Sequence, residues 1–227
     1  MILHNSKQEA AAKKIIAPAI IDRRQQILNC AEQLFAERGY YAVSIREIAL
    51  EANVQFALVG YYFGAKKDLY YSVFERLSPI MEDRMMRLKK IMVAQRNPTN
   101  ARRLREILTA FVAPVLAIRR SPQGRAYGKL VARGLNGDAD DSERVVKDFF
   151  DPLAKAYIDA INACYPNASI GQCAWAYQFA LGALIHHITD ERIERLSNFT
   201  ESPDDPNAQA HLINFLVDGI RAVLKQK

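Results

Sequence analysis

The 227 residues can hold one or two domains and bury a sizeable core. Half of them are apolar, which excludes a disordered chain, and the net charge of +6 suits a phosphate-rich partner without demanding one. No apolar run is long enough for a signal peptide or a membrane span, so a cytoplasmic protein without membrane contact is expected.

Residues 1–19 are mixed in character and read as a flexible arm, whose Lys7, Lys13 and Lys14 are either solvated or reach DNA phosphates. Asp22 is a good cap for a first helix, with Ile27, Leu28, Ala31, Leu34 and Phe35 on one face and Gly39 as its stop. Ser44 and Glu47 have the spacing of a capping box, and Val43 and Ile48 that of a hydrophobic staple. Asn53 tolerates a left-handed turn. A helix of small and aromatic residues follows over Gln55–Phe63, with Val54, Leu58 and Phe63 expected to pack inward. This helix–turn–helix spacing suits insertion of the second helix into a major groove.

A long helix from Ala65–Lys66 carries an apolar stripe as far as Met92, with a kink expected at Pro79. Asn97–Asn100 reads as a turn. Further helices are expected over about 101–119, broken at Pro114; about 122–135, opened by Ser121 and Pro122; and about 142–164, interrupted at Asp151–Pro152. Ser169 and Gln172 form a second capping box for a helix over about 169–189, and Asp205–Pro206 opens the last, about 206–225. These last two are apolar nearly all round, so each needs a second burial partner. The chain is read as all-α: an arm at 1–19, a three-helix helix-turn-helix unit at 20–65, and a larger helical unit at 66–227 for ligand binding and dimerisation.

Over roughly residues 20–75 a family resemblance emerges. GYYFGAKKDLY resembles the tetracycline-repressor (TetR/AcrR) signature, Tyr-x-x-Phe-x-(Ser/Asn)-Lys-(Glu/Asp)-x-Leu. RRQQILNCAEQLFAERGYYAVSIREIA is similar to the same family's first two helices. The resemblance implies a homodimeric, ligand-responsive transcriptional regulator, usually a repressor, bound to double-stranded operator DNA. Asn53 stands where glycine is usual, Gly60 replaces the first aromatic of a common Tyr-Tyr pair, and Ala65 replaces a capping serine or asparagine.

The candidate DNA-binding residues are Ser44, Arg46, Gln55, Phe56, Ala57, Gly60, Tyr61 and Lys66. Lys66, in the first turn of its helix, opposes the macrodipole, a conflict that a bound phosphate removes. The resemblance implies the same backbone contact. Tyr61, Ser44 and Arg46 are further phosphate candidates, with packing or solvation as the alternatives. Gln55 can pair bidentately with adenine, whereas Phe56 and Ala57 offer apolar contact to a thymine methyl.

An elongated apolar or amphipathic effector, such as a fatty acyl compound, is expected in a cavity lined by Met85, Leu88, Phe111, Val115 and Phe150, with a tightly packed core there as the alternative. A dimer contact is expected at Trp175, Phe179, Gly182, Ala183, His186, Phe215 and Ile220. The basic runs Arg84–Arg105 and Arg119–Arg133 read as solvated faces, or as attractors of an anionic ligand. Adjacent His186 and His187 point apart on a helix and make a poor chelate. Cys30, Cys164 and Cys173 lack metal-ligand spacing and read as reduced core thiols, so neither metal nor cofactor is expected. Two rival functions stay open: a helical lipid- or acyl-binding carrier, and a helical enzyme whose catalytic groups meet only on folding.

Overall fold

Local signals start the first helices. The Asp22 carboxylate accepts from the amides of Arg24 and Gln25 at 3.0 and 3.3 Å, which opens α1 (Arg23–Arg38). The helix ends at Gly39, whose φ of 81° favours glycine. The capping box at Ser44 closes as expected. The Glu47 amide donates to Ser44 Oγ at 3.2 Å and the Ser44 amide donates to Glu47 Oε2 at 2.7 Å, opening α2 (Ile45–Glu51). Asn53 takes the left-handed turn with φ 48°, and α3 (Phe56–Phe63) follows.

The computed structural model describes residues 22–94, 100–119, 121, 124–137, 139 and 142–225. The arm at 1–19, Asn97–Thr99 of the expected turn, and Pro122 lie outside the described residues.

The long helix expected from Lys66 is two helices, not one kinked rod. α4 (Lys66–Glu75) stops, Arg76 and Leu77 form a turn, and α5 (Ser78–Val93) begins with Pro79 in its first turn. There the missing proline amide has no helical partner to lose. The opposite correction applies to α6 (Asn100–Arg119), which runs unbroken through Pro114. Phe111, Val112, Val115 and Leu116 beside it are all buried, and that packing outweighs one lost hydrogen bond.

α7 (Gly124–Leu135) and a short α8 (Ser142–Val145) follow. A π-helical turn, Val146–Phe150, then leads into α9 (Asp151–Cys164), with Pro152 in its first turn, so the expected interruption takes this form. The second capping box opens α10 (Ile170–Thr189), with Ser169–Gln172 bonds of 2.8 and 3.2 Å. An unexpected short α11 (Ile193–Leu196) precedes α12 (Ala208–Lys225), which starts two residues later than the Asp205–Pro206 signal suggests. Asp205 instead accepts the Asn207 amide at 2.6 Å. No strand occurs among the described residues.

α1 packs on α2, α3 and α4 around Ile27, Phe35, Val43, Ile48, Val59 and Tyr70, all buried. In the body, α6 packs against α5, α9 and α12, while α10 packs against α9, α12 and α7. α7 also packs against α1 and so touches both units.

Candidate nucleic-acid interface

α3 is amphipathic in an unusual sense, because its outer face is itself apolar. Val59 and Phe63 are buried, and Leu58 is only half-buried, so Val59 and not Leu58 is the main anchor. The outer face presents Phe56, Ala57, Gly60 and Tyr61, with Tyr61 82% exposed. Gln55 occupies the helix cap, yet its side chain makes no capping bond and stays exposed. A Cβ at Gly60 would meet nothing within 4 Å, so this glycine leaves a flat strip where a groove wall can approach.

Arg46 leans over the Phe56 ring at 5.8 Å from its centroid. That contact joins α2 to α3 on the outer face and holds Phe56 away from the core, which the sequence left open. Ser44 is exposed and committed to the cap. Its amide and hydroxyl hydrogen bonds, with the Arg38 guanidinium 2.9 Å away, hold the Glu47 carboxyl down at about 2.

Lys66 opens α4 half-buried, its Nζ 4.1 Å from the Tyr40 ring centroid. Asp68 in the same turn accepts the Ala65 amide at 3.2 Å. Half a capping box therefore survives without a capping side chain at Ala65, and Gly64 enters it with φ 74°. The eight predicted residues thus fall along the start of α2, the start and exposed face of α3, and the first turn of α4.

Two features of the junction escape the sequence reading. Arg133 of α7 donates from Nε to the Ala36 carbonyl and from Nη2 to the Glu37 carbonyl, both at 3.3 Å, which ties the end of α1 to the body. Next to it, Gly134 lies so close to Phe74 that a Cβ would sit 2.8 Å from the ring. The same ring of α4, Phe74, meets Phe150 edge-on at 6.1 Å, and Tyr71 of α4 donates to Asp148 at 2.9 Å. Only the spacing of a glycine beside an arginine in α7 hints at any of this in the sequence.

The predicted effector cavity is not where it was expected. Leu88, Phe111 and Val115 are buried in packed core, and Met85 is half-buried against it. Phe111 meets Tyr157 and Tyr177 edge-on at 5.0 and 5.6 Å, so these three rings pack together there. Phe150 alone of the five lines a cleft, of about 410 Å³, with Val146, Ala154, Tyr177, Leu181 and Ile185. A second cleft of about 610 Å³ lies between α10, α11 and α12, lined by His186, Asp190, Ile193, Leu196, His211 and Phe215 among others.

The predicted dimer residues mostly share an exposed surface. Trp175 and Phe179 stack at 5.5 Å on α10 beside exposed Gly182 and His186 and half-buried Ala183, while Phe215 projects from α12, 69% exposed. Ile220 is a correction. It lies in the core with Ile213, Leu216 and Leu224, because α12 turns that stripe inward and Phe215 outward. His186 pairs with Asp190 at 3.2 Å. Cys164 and Cys173 are buried and Cys30 half-buried, all three as free thiols, and burial pushes the Cys164 thiol up to about 11.

Residues 27–73 match the pattern described as bacterial regulatory proteins, tetR family, and residues 109–219 match the tetracyclin repressor-like C-terminal domain. The HTH-type transcriptional regulator HbdR of Aromatoleum sp. (strain CIB) is 34% identical over 83 residues, 36% of either chain. The HTH-type transcriptional activator FasR of Mycolicibacterium smegmatis is 38% identical over 55 residues, 24% of this chain and 25% of that protein. These alignments therefore span about a third or less of the curated relatives' length. The solved structure of the fatty acid degradation regulator FadR from Bacillus halodurans superposes with a TM-score of 0.61 at 14% identity, covering 88% of this chain and 97% of that one. That likeness is one of fold.

Proposed function

The chain belongs to the tetracycline-repressor family, and on that premise we propose that it is a dimeric transcriptional regulator, a repressor released from a near-palindromic operator by a small apolar or amphipathic effector. One observation carries the reading: α3 buries Val59 and Phe63 and leaves Gln55, Phe56, Ala57, Gly60 and Tyr61 on an open face. An isolated helical domain gains nothing by exposing three aromatics, Phe56, Tyr61 and Tyr62, on one short helix, whereas a major groove offers thymine methyls and adenine edges to match them. Arg46 lies over Phe56 at the edge of that face, and Ser44 and Lys66 open the helices before and after α3, where they supply phosphate contacts in this reading.

The effector enters the reading through the cleft beside the π-helical turn. Phe150 of that turn lines the cleft and also packs on Phe74 of α4, while Asp148 holds Tyr71 of α4. A ligand that displaces the turn therefore acts on α4, and α4 carries Lys66 at its other end. With two recognition helices held about 34–36 Å apart by an operator, a ligand that favours another spacing lowers DNA affinity, and DNA lowers ligand affinity equally.

Selection of bound fragments from a random DNA pool tests the proposal. Recovery of one inverted-repeat motif is the expected result. Recovery of unenriched DNA, together with binding to anionic liposomes, would instead favour a lipid-binding carrier.

A further inference from the structure

Arg84 lies by sequence in a basic run, where a solvated side chain is expected, yet on α5 it is only 4% exposed. Its guanidinium carbon lies 4.2 Å from the Phe111 ring centroid and 6.0 Å from that of Tyr157. Ring contacts occupy the face of the group, whereas its N–H donors lie in the plane. In that plane the Met81 sulfur is 3.8 Å from Nη1, a weak acceptor. Nε and Nη2 are buried without any hydrogen-bond partner, and no carboxylate among the described residues pairs with Arg84.

The two unmatched nitrogens are informative as a pair. Nε and Nη2 share one edge of the guanidinium, and their parallel N–H bonds match the two oxygens of a carboxylate. A buried cation with that edge empty is strongly unfavourable, and an entering anion removes the penalty. The Arg84 charge is felt by three buried tyrosines, one of which, Tyr157, lies in ring contact with it. Burial raises the hydroxyls of Tyr127, Tyr157 and Tyr177, and the Arg84 charge opposes that rise in each. Tyr177 packs edge-on against Phe111, the ring that Arg84 covers, and also lines the 410 Å³ cleft. The apolar wall of that cleft, Val146, Phe150, Ala154, Leu181 and Ile185, has room for a chain or ring, within the range of small-molecule sites. Asp151 lines the same cleft and makes no ion pair with Arg84.

We infer that Arg84 anchors the carboxylate of an amphipathic organic acid, whose apolar body occupies the cleft and whose head passes Tyr177. The inference rests on the effector-responsive reading above and names the ligand class.

Calorimetry without DNA reads the site by itself. The probes are octanoate, decanoate and 4-phenylbutanoate, each beside its matched alcohol and amine. The wild type is expected to bind at least one acid about tenfold or more tighter than its alcohol. Arg84→Lys keeps the charge and loses the fork, so acid affinity should fall about tenfold or more with alcohol affinity unchanged. Arg84→Met should abolish the acid preference and raise the melting temperature of the free protein, because the unmatched donors are gone. Equal binding of acids and alcohols by the wild type, no binding of any acid, or wild-type acid affinity in Arg84→Lys would each overturn the inference. Should Arg84→Met fail to fold, Arg84→Lys decides. Release of DNA is measured separately: an acid that binds through Arg84 and leaves the DNA complex intact contradicts the regulatory reading and not the site.

Discussion

Lys66 and Gln55 are expected to fail differently when removed, because a phosphate contact positions and a base contact specifies. Lys66→Ala should weaken binding to all DNA sequences about equally and reduce the salt dependence by roughly one phosphate's worth. Gln55→Ala should relax preference at one base position by about 1–3 kcal/mol. Salt titrations on matched and mismatched duplexes check both, and uniform losses for both mutants would contradict the division. Glu47 gives a third prediction at this scale. Its folded pKa of about 2 lies below the ordinary carboxylate value, so its contribution is complete above that value and is lost as pH falls between roughly 4.5 and 2. Melting temperature against pH should therefore fall less steeply in that window for Glu47→Gln than for the wild type. Ser44 and Glu47 were legible in the sequence because a capping box is a contact three residues long. Arg84 was not, because its burial depends on Phe111 and Tyr157, which arrive from other helices.

Three prolines show where local reading stops at the scale of the element. Pro79 and Pro152 fall in first turns, where proline is at home, and Pro114 is carried inside a helix by the packing around it. Sequence marks each as a disturbance, but only the neighbours decide between a break and a continuous helix. The same limit applies to the lever between the units. A single helix over 66–92 reads as the shared element, yet α4 ends at Glu75 and α7 supplies a second bridge through Arg133 and Gly134. Gly134→Ala should place a methyl against the Phe74 ring, destabilise the protein by about 1–3 kcal/mol and shift α7 against α4. Thermal melts and DNA titrations check this together, and the expected result is a lower melting temperature with weakened DNA binding. Wild-type DNA affinity in a folded Gly134→Ala protein would remove α7 from the coupling path.

On the scale of the whole molecule, α10 and α12 were expected to need a second partner, and their exposed residues Trp175, Phe179 and Phe215 are what such a partner would cover. Periodicity shows that surplus of apolar surface but does not orient each helix, so Ile220, which faces the core, reads from sequence alone like a contact residue. Because Phe215 is 69% exposed, Phe215→Asp should leave the folded chain intact and yield a monomer by sedimentation, with operator affinity reduced as one half-site is lost. An unchanged dimer would move the contact elsewhere. Whether the open face of α3 reads DNA within a two-fold assembly is decided by selecting bound fragments from a random pool and footprinting the recovered sequence. One inverted-repeat motif is expected, with half-sites about one helical turn apart, protected at submicromolar protein and lost in Phe215→Asp. A random pool returned without enrichment would contradict this reading of α3.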